Sequence, residues 1–98
     1  MKKTLTGVVS ISGGAIYVAP LDKYVEIEYL LFNSPVNYQI KIYKQLKKNN
    51  QRSLIYNLDL DAGDIVTDTS KYMLNPGDSL YAISTSSQTN YTITINEQ

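Results

Sequence analysis

The chain has 98 residues, enough for one domain built on a single core, and its nine basic and nine acidic side chains leave a formal charge of zero. It contains no cysteine and no histidine, which removes disulfides, thiolate nucleophiles, sulfur-ligated zinc, the commonest general base and the commonest transition-metal ligand. Charge balance argues against nucleic acid as the main partner, and no run approaches the roughly 18 apolar residues that cross a membrane.

Apolar and polar residues alternate with a period of two along most of the chain, and no window carries a sustained helical stripe. From Lys3 to Ile11, Leu5, Val9 and Ile11 share one face, and Gly13-Gly14 follows as a turn. Ala15 to Ala19 is a short strand closed by Pro20. Tyr24 to Phe32 sets Val25, Ile27, Tyr29 and Leu31 on one face and Glu26 and Glu28 on the other. Leu30 and Phe32 then fall on the polar side, where a loop or a partner chain would have to cover them.

Asn33-Ser34-Pro35 turns the chain into Asn37 to Leu46, in which Tyr38, Ile40, Ile42 and Leu46 alternate with Gln39, Lys41, Tyr43 and Gln45. If this strand pairs with the preceding one, Lys41 faces Glu26 or Glu28. Residues 47 to 52, with Lys47, Lys48 and Arg52 and no apolar side chain, read as the solvated tip of a hairpin. Leu54, Tyr56, Leu58 and Leu60 resume the alternation. Gly63-Asp64 and Gly77-Asp78 then each end a turn and launch an apolar run, with Pro76 setting up a type II turn before Gly77. Short strands follow at 65 to 67, 72 to 74, 79 to 85 and 91 to 95. The expectation is an all-β fold: a single antiparallel β-sandwich over residues 1–98, jelly-roll or Ig-like, of about eight short strands.

Little in this pattern carries chemistry. Asp59, Asp61, Asp64 and Asp68 form the one carboxylate cluster, but Gly63 stands where an EF-hand needs a ligand and no glutamate follows at the twelfth position. Asp59 and Asp61 share a face in a strand, the minimum for a weak calcium site; turn capping is the commoner use. No serine has a base beside it, and Ser10, Ser12 and the run Ser84 to Ser87 read as exposed positions. No catalytic residue, metal ligand or cofactor is expected, and the chain is read as non-enzymatic.

Nine tyrosines stand against one phenylalanine and no tryptophan. Tyr29, Tyr38, Tyr56 and Tyr91 fall on the apolar register and belong to the core; Tyr24, Tyr43 and Tyr81 lie off it, placed for a protein partner or a sugar. Charge is segregated along the chain. Residues 1 to 52 hold eight bases against three acids, a net +5, and residues 53 to 98 hold one base against six acids, a net −5. Interleaved strands commonly remix such halves, whereas opposed patches suit head-to-tail assembly.

Taken in order, Ile16-Tyr17-Val18-Ala19-Pro20, an apolar strand ending in Asn33, Tyr38-Gln39-Ile40-Lys41-Ile42, Leu60-Asp61-Ala62-Gly63-Asp64, the segment Tyr72 to Ala82 and a closing Tyr91-Thr92-Ile93 resemble a family of small β-sandwich virion proteins of tailed bacteriophages. The resemblance runs from about residue 15 to residue 97; where the family often closes on Gly-Glu, this chain has Asn96-Glu97. It implies a structural subunit of the virion, assembled in the host cytoplasm. The leading expectation is a capsid auxiliary or decoration protein that binds its own copies, as a homo-oligomer, and the major capsid protein. The alternative is a tail-associated carbohydrate- or receptor-binding module. Leu30, Phe32, Tyr43 and Tyr81 are the candidate contacts, with Lys47, Lys48 and Arg52 facing acidic surface on a neighbour.

Overall fold

The computed structural model describes residues 1–98. Nine strands and no helix make it up: β1 (Lys2–Val8), β2 (Gly14–Val18), β3 (Val25–Asn33), β4 (Tyr38–Gln45), β5 (Arg52–Leu60), β6 (Ile65–Asp68), β7 (Tyr72–Leu74), β8 (Ser79–Ser84) and β9 (Asn90–Glu97). No helix is therefore long and apolar enough to cross a membrane.

The strands form two antiparallel sheets, and the alternating inward residues of both build one core. In the first, β1, β9, β3 and β6 lie side by side; in the second, β2, β8, β4 and β5. β6 pairs with Leu30 to Asn33 and β7 with Val25 to Ile27, both along the same edge of β3. They are one broken strand, interrupted where Lys71 takes a positive φ of 63°. With β6 and β7 counted together, eight strand positions remain, and their order is that of a jelly roll. Between the sheets, Ile27, Phe32, Ile40, Ile42, Leu80, Ile93 and Ile95 are almost wholly buried.

The twin turns form as hairpin chemistry requires. The Asp64 amide donates to the Asp61 carbonyl at 3.0 Å and the Asp78 amide to the Asn75 carbonyl at 3.0 Å, with Gly63 and Gly77 at φ 81° and 84° in the third position. Their aspartates then diverge. Asp64 accepts from the Asp61 amide of its own turn, whereas buried Asp78 accepts at 3.0 Å from the Lys47 amide and so ties the β4–β5 loop to the β7–β8 turn.

Three β-bulges alter which side chains face the core. In β3, Ile27 pairs with Ile95 and Tyr29 with Thr94, so Glu28 is an extra residue and the alternation shifts by one beyond it. Leu30 and Phe32, expected on the solvated face as contacts for a partner, are in consequence 1% and 0% exposed, and Tyr29 leaves the core for the outer side, opposite Thr94. In β5, Ile42 pairs with Tyr56 and Tyr43 with Leu54, so Ile55 is the extra residue. It packs against the core while Leu54 turns outward and is 55% exposed. The third bulge lies between Ala15 and Tyr17 in β2.

Other expectations need correction. β3 and β4 lie in different sheets, so Lys41 does not face Glu26 or Glu28; Glu28 pairs instead with Lys2 at 3.1 Å. Ile11 lies beyond the end of β1 and is exposed. Ser84 and Ser86 are buried. Their hydroxyls join those of Ser34 and Thr89, with Ser34 to Ser86 at 2.9 Å and Ser84 to Thr89 at 2.7 Å, a polar knot that pins the β3–β4 and β8–β9 connections together.

Candidate functional site

Strand register brings two of the off-pattern tyrosines, Tyr43 and Tyr81, together on the outer face of the second sheet, while Tyr24 stands apart, exposed just before β3. Ala15 on β2 pairs with Tyr81 on β8, Tyr81 with Tyr43 on β4, and Tyr43 with Leu54 on β5, a row crossing all four strands. Beside it runs a second row, Val18, Ser79, Gln45 and Arg52. The rings of Tyr43 and Tyr81 meet edge to face, with centroids 6.0 Å apart at 68°. Arg52 crosses from the start of β5, donates through Nε to Gln45 Oε1 at 2.8 Å, and sets its guanidinium 3.7 Å above the Tyr81 ring.

Below this cluster, Tyr81 also lies across Gly13. Gly13 has a φ of 87°, and a Cβ there would run into the Tyr81 hydroxyl. The ring is thus held from beneath by the backbone, from one side by Tyr43 and from above by Arg52, which fixes a broad amphipathic surface with little rotamer freedom left to lose. Val18 and Leu54, both more than half exposed, extend it with apolar area. Next to it, Ile11, Gln39, Lys41, Ile83, Ser84 and Thr85 line an open hollow of about 300 Å³.

Of the residues singled out in the sequence, Tyr43, Tyr81 and Arg52 therefore converge. Leu30 and Phe32 do not, being core, and Lys47 and Lys48 stand apart, exposed on the β4–β5 loop at the adjoining end of the sandwich. Leu54 and Val18 were missed. The signal for Leu54 was the adjacent apolar pair Leu54-Ile55, which cannot keep strict alternation with Tyr56.

A second cluster lies where β5 faces the broken edge of β6 and β7. Tyr72 donates its hydroxyl to Asp68, and the Ser70 amide donates to the same carboxylate at 2.8 Å. Burial works to raise the Asp68 pKa, but the bonds from Ser70 and Tyr72 outweigh it and hold the carboxyl below its ordinary range. Burial first, then the Asp68 charge, pushes the hydroxyl of Tyr56 well up, and Tyr72 moves the same way through burial and its bond to Asp68. These shifts carry all three groups away from neutrality. Asp59 and Asp61 are exposed, and no group of three carboxylates is assembled that could share a metal ion.

No protein-family model matches the sequence, and no curated protein matches it. Among solved structures, the fold is similar to a Bacillus endospore appendage from a family of disulfide-linked pili, at 14% identity over 97% of this chain and 82% of that one, with a TM-score of 0.52. It is also similar to a pentameric capsid protein from metagenomic phage sequences, at 16% identity over 96% of this chain and 60% of that one, with a TM-score of 0.50. A looser likeness, at a TM-score of 0.49 and 14% identity, covers 97% of this chain and 21% of a Clostridium thermocellum xylanase carrying a carbohydrate-binding module. At these identities the similarity is one of fold: an all-β sandwich shared with a pilus subunit and a phage capsid protein.

Proposed function

We propose that the chain is a non-enzymatic structural subunit of a tailed-phage particle, an auxiliary or decoration protein that docks on the capsid shell through the outer face of its second sheet. The observation that carries this reading is the clamped Tyr43, Tyr81 and Arg52 cluster. Tyrosine and arginine are, with tryptophan, the side chains enriched at the energetic centres of protein interfaces, and here they are preorganised, so little ordering entropy opposes docking. The fold likeness to a phage capsid protein supports the same reading, as does the order of turn motifs shared with small phage virion proteins.

A tail-associated sugar-binding role fits this face less well. Stacking a sugar requires an open ring, and Arg52 already covers the available face of Tyr81. The test is mass spectrometry of density-purified particles from a culture producing the phage that encodes the chain. The chain should be present, and the double substitution Tyr43→Ala with Tyr81→Ala should strip it from particles while the isolated variant still melts cooperatively. Absence of the wild-type chain from purified particles overturns the proposal; glycan binding lost with the same substitutions favours the alternative.

A further inference from the structure

The fold remixes only part of the charge segregation seen along the chain. All three ion pairs, Lys2 with Glu28, Lys3 with Glu97 and Lys23 with Glu97, involve the N-terminal lysines. The second sheet has none. Lys44, Lys47, Lys48 and Arg52 gather around the β4–β5 loop without an ion pair, in excess over Asp22 of the β2–β3 connection and buried Asp78, whose carboxylate takes only the Lys47 backbone amide. At the far end of the same hairpin stand Asp59, Asp61 and Asp64, equally without a cation. The other three connections at that end, residues 9–13, 34–37 and 85–89, carry no charged side chain at all.

These poles are too far apart to serve one another. From Arg52 to Asp59 the strand rises about 23 Å at roughly 3.3 Å per residue, more than twice the screening length of about 10 Å at ordinary ionic strength. We infer that the basic end of the β4–β5 hairpin docks on the acidic end of a second copy of this chain, a head-to-tail contact that repeats into rings or filaments. This rests on the reading of the chain as an assembly subunit and names the partner and the surface. With no cysteine to lock it, the contact is held by charge complementarity. Its size is limited too: the molecule measures 39 by 27 by 19 Å, and one end of it offers an area at the small end of specific interfaces. A small, charge-held contact is weak and strongly salt-dependent.

Analytical ultracentrifugation of the purified chain tests it. Association should weaken at least about tenfold between about 50 mM and about 500 mM NaCl, as screening shortens. With Asp22 and Asp78 at the same end, Lys47→Glu with Lys48→Glu turns an excess of four bases over two acids into two bases against four acids and makes both ends acidic, and Asp59→Lys with Asp61→Lys makes both ends basic. Each variant alone should be monomeric, and an equimolar mixture should regain association. Association indifferent to salt and to both reversals overturns the inference, as does failure of the mixture to associate. Wild-type chain that stays monomeric at low salt yet is found on purified particles overturns the head-to-tail contact and leaves the capsid-docking reading standing.

Discussion

The guanidinium of Arg52 lies 3.7 Å above the ring of Tyr81, although Arg52 sits on β5 and Tyr81 on β8, with β4 between them. The contact spans the sheet because Gln45, on the intervening strand, receives the Nε proton at 2.8 Å and steers the side chain inward. A double-mutant cycle of Arg52→Ala and Tyr81→Leu should give a coupling of about 0.5–1 kcal/mol, the range of an exposed cation–π pair. Urea unfolding measures it, and strict additivity of the two substitutions would show that the stacked geometry is not held in solution.

Gly13 supplies a sharper test of the same surface, because it is the floor on which Tyr81 rests. Alanine there must take a positive φ and push the tyrosine ring aside, so Gly13→Ala should cost about 1–3 kcal/mol. Gly14 has open space where its Cβ would sit and no positive φ, so Gly14→Ala should stay within about 0.5 kcal/mol of wild type. Equal effects at the two neighbours, read from chemical denaturation, would contradict the packing of Tyr81 over Gly13.

The bulge at Glu28 makes a prediction about adjacent leucines. Leu30 is 1% exposed while Leu31 is half-buried on the outer side, so Leu30→Ala should cost about 2–5 kcal/mol from lost burial and a residual cavity. Leu31→Ala should cost about 1 kcal/mol or less. A strand without the bulge predicts the opposite order, so the ranking by thermal or urea unfolding decides the register.

These bulges also explain what the sequence disclosed and what it hid. Alternation located the strands to within a residue or two, except β1, which ends three residues before Ile11, and Gly63-Asp64 and Pro76-Gly77-Asp78 announced their turns, because both signals are local. A bulge is not: whether Glu28 pairs or is skipped depends on β9, sixty-odd residues away in the chain. Each bulge falls near a run of consecutive apolar residues, Ile16-Tyr17-Val18, Tyr29-Leu30-Leu31-Phe32 and Leu54-Ile55-Tyr56, where strict alternation has already failed and either register is tolerable locally. Leu30 and Phe32 were misplaced for that reason, and Leu54 overlooked, whereas Tyr43 and Tyr81 lie on strands whose inward partners, Ile42, Leu80 and Ala82, leave no choice. That Arg52 would join them was not legible, since a hairpin register and a crossing side chain are both required.

The polar knot beneath the β8–β9 connection was hidden by composition, a serine- and threonine-rich stretch reading as solvated loop. Thr89 is fully buried, shares a hydrogen bond with Ser84 and donates to the Ser86 carbonyl at 3.1 Å. Thr89→Val keeps the shape and strands both partners, so it should destabilise by about 1–3 kcal/mol. Thr89→Ser, which keeps the hydroxyl, should recover most of that apart from the lost methyl. If valine is tolerated as well as serine in denaturation experiments, the network contributes nothing to stability.

Glu97 contributes to the acid sensitivity of the fold. Its carboxylate receives Lys3 Nζ at 2.9 Å and Lys23 Nζ at 3.2 Å, and these bonds, aided by the two positive charges, hold its pKa below the ordinary glutamate value of 4.5. Because the folded-state pKa is the lower one, the unfolded chain takes up the proton first as pH falls. The stabilisation is therefore complete above about pH 5–6, begins to fade near the unfolded value, and is lost once pH passes below the folded one. Thermal melts of wild type and Glu97→Gln should differ most near neutrality, with the variant less stable, and should converge as pH falls through the unfolded value of 4.5 and below the folded-state pKa. Asp68, also held low, titrates in both proteins and cancels from the difference. A gap in melting temperature that stays constant from neutrality into acid would mean that the link from β1 and the β2–β3 connection to β9 does not depend on the Glu97 charge.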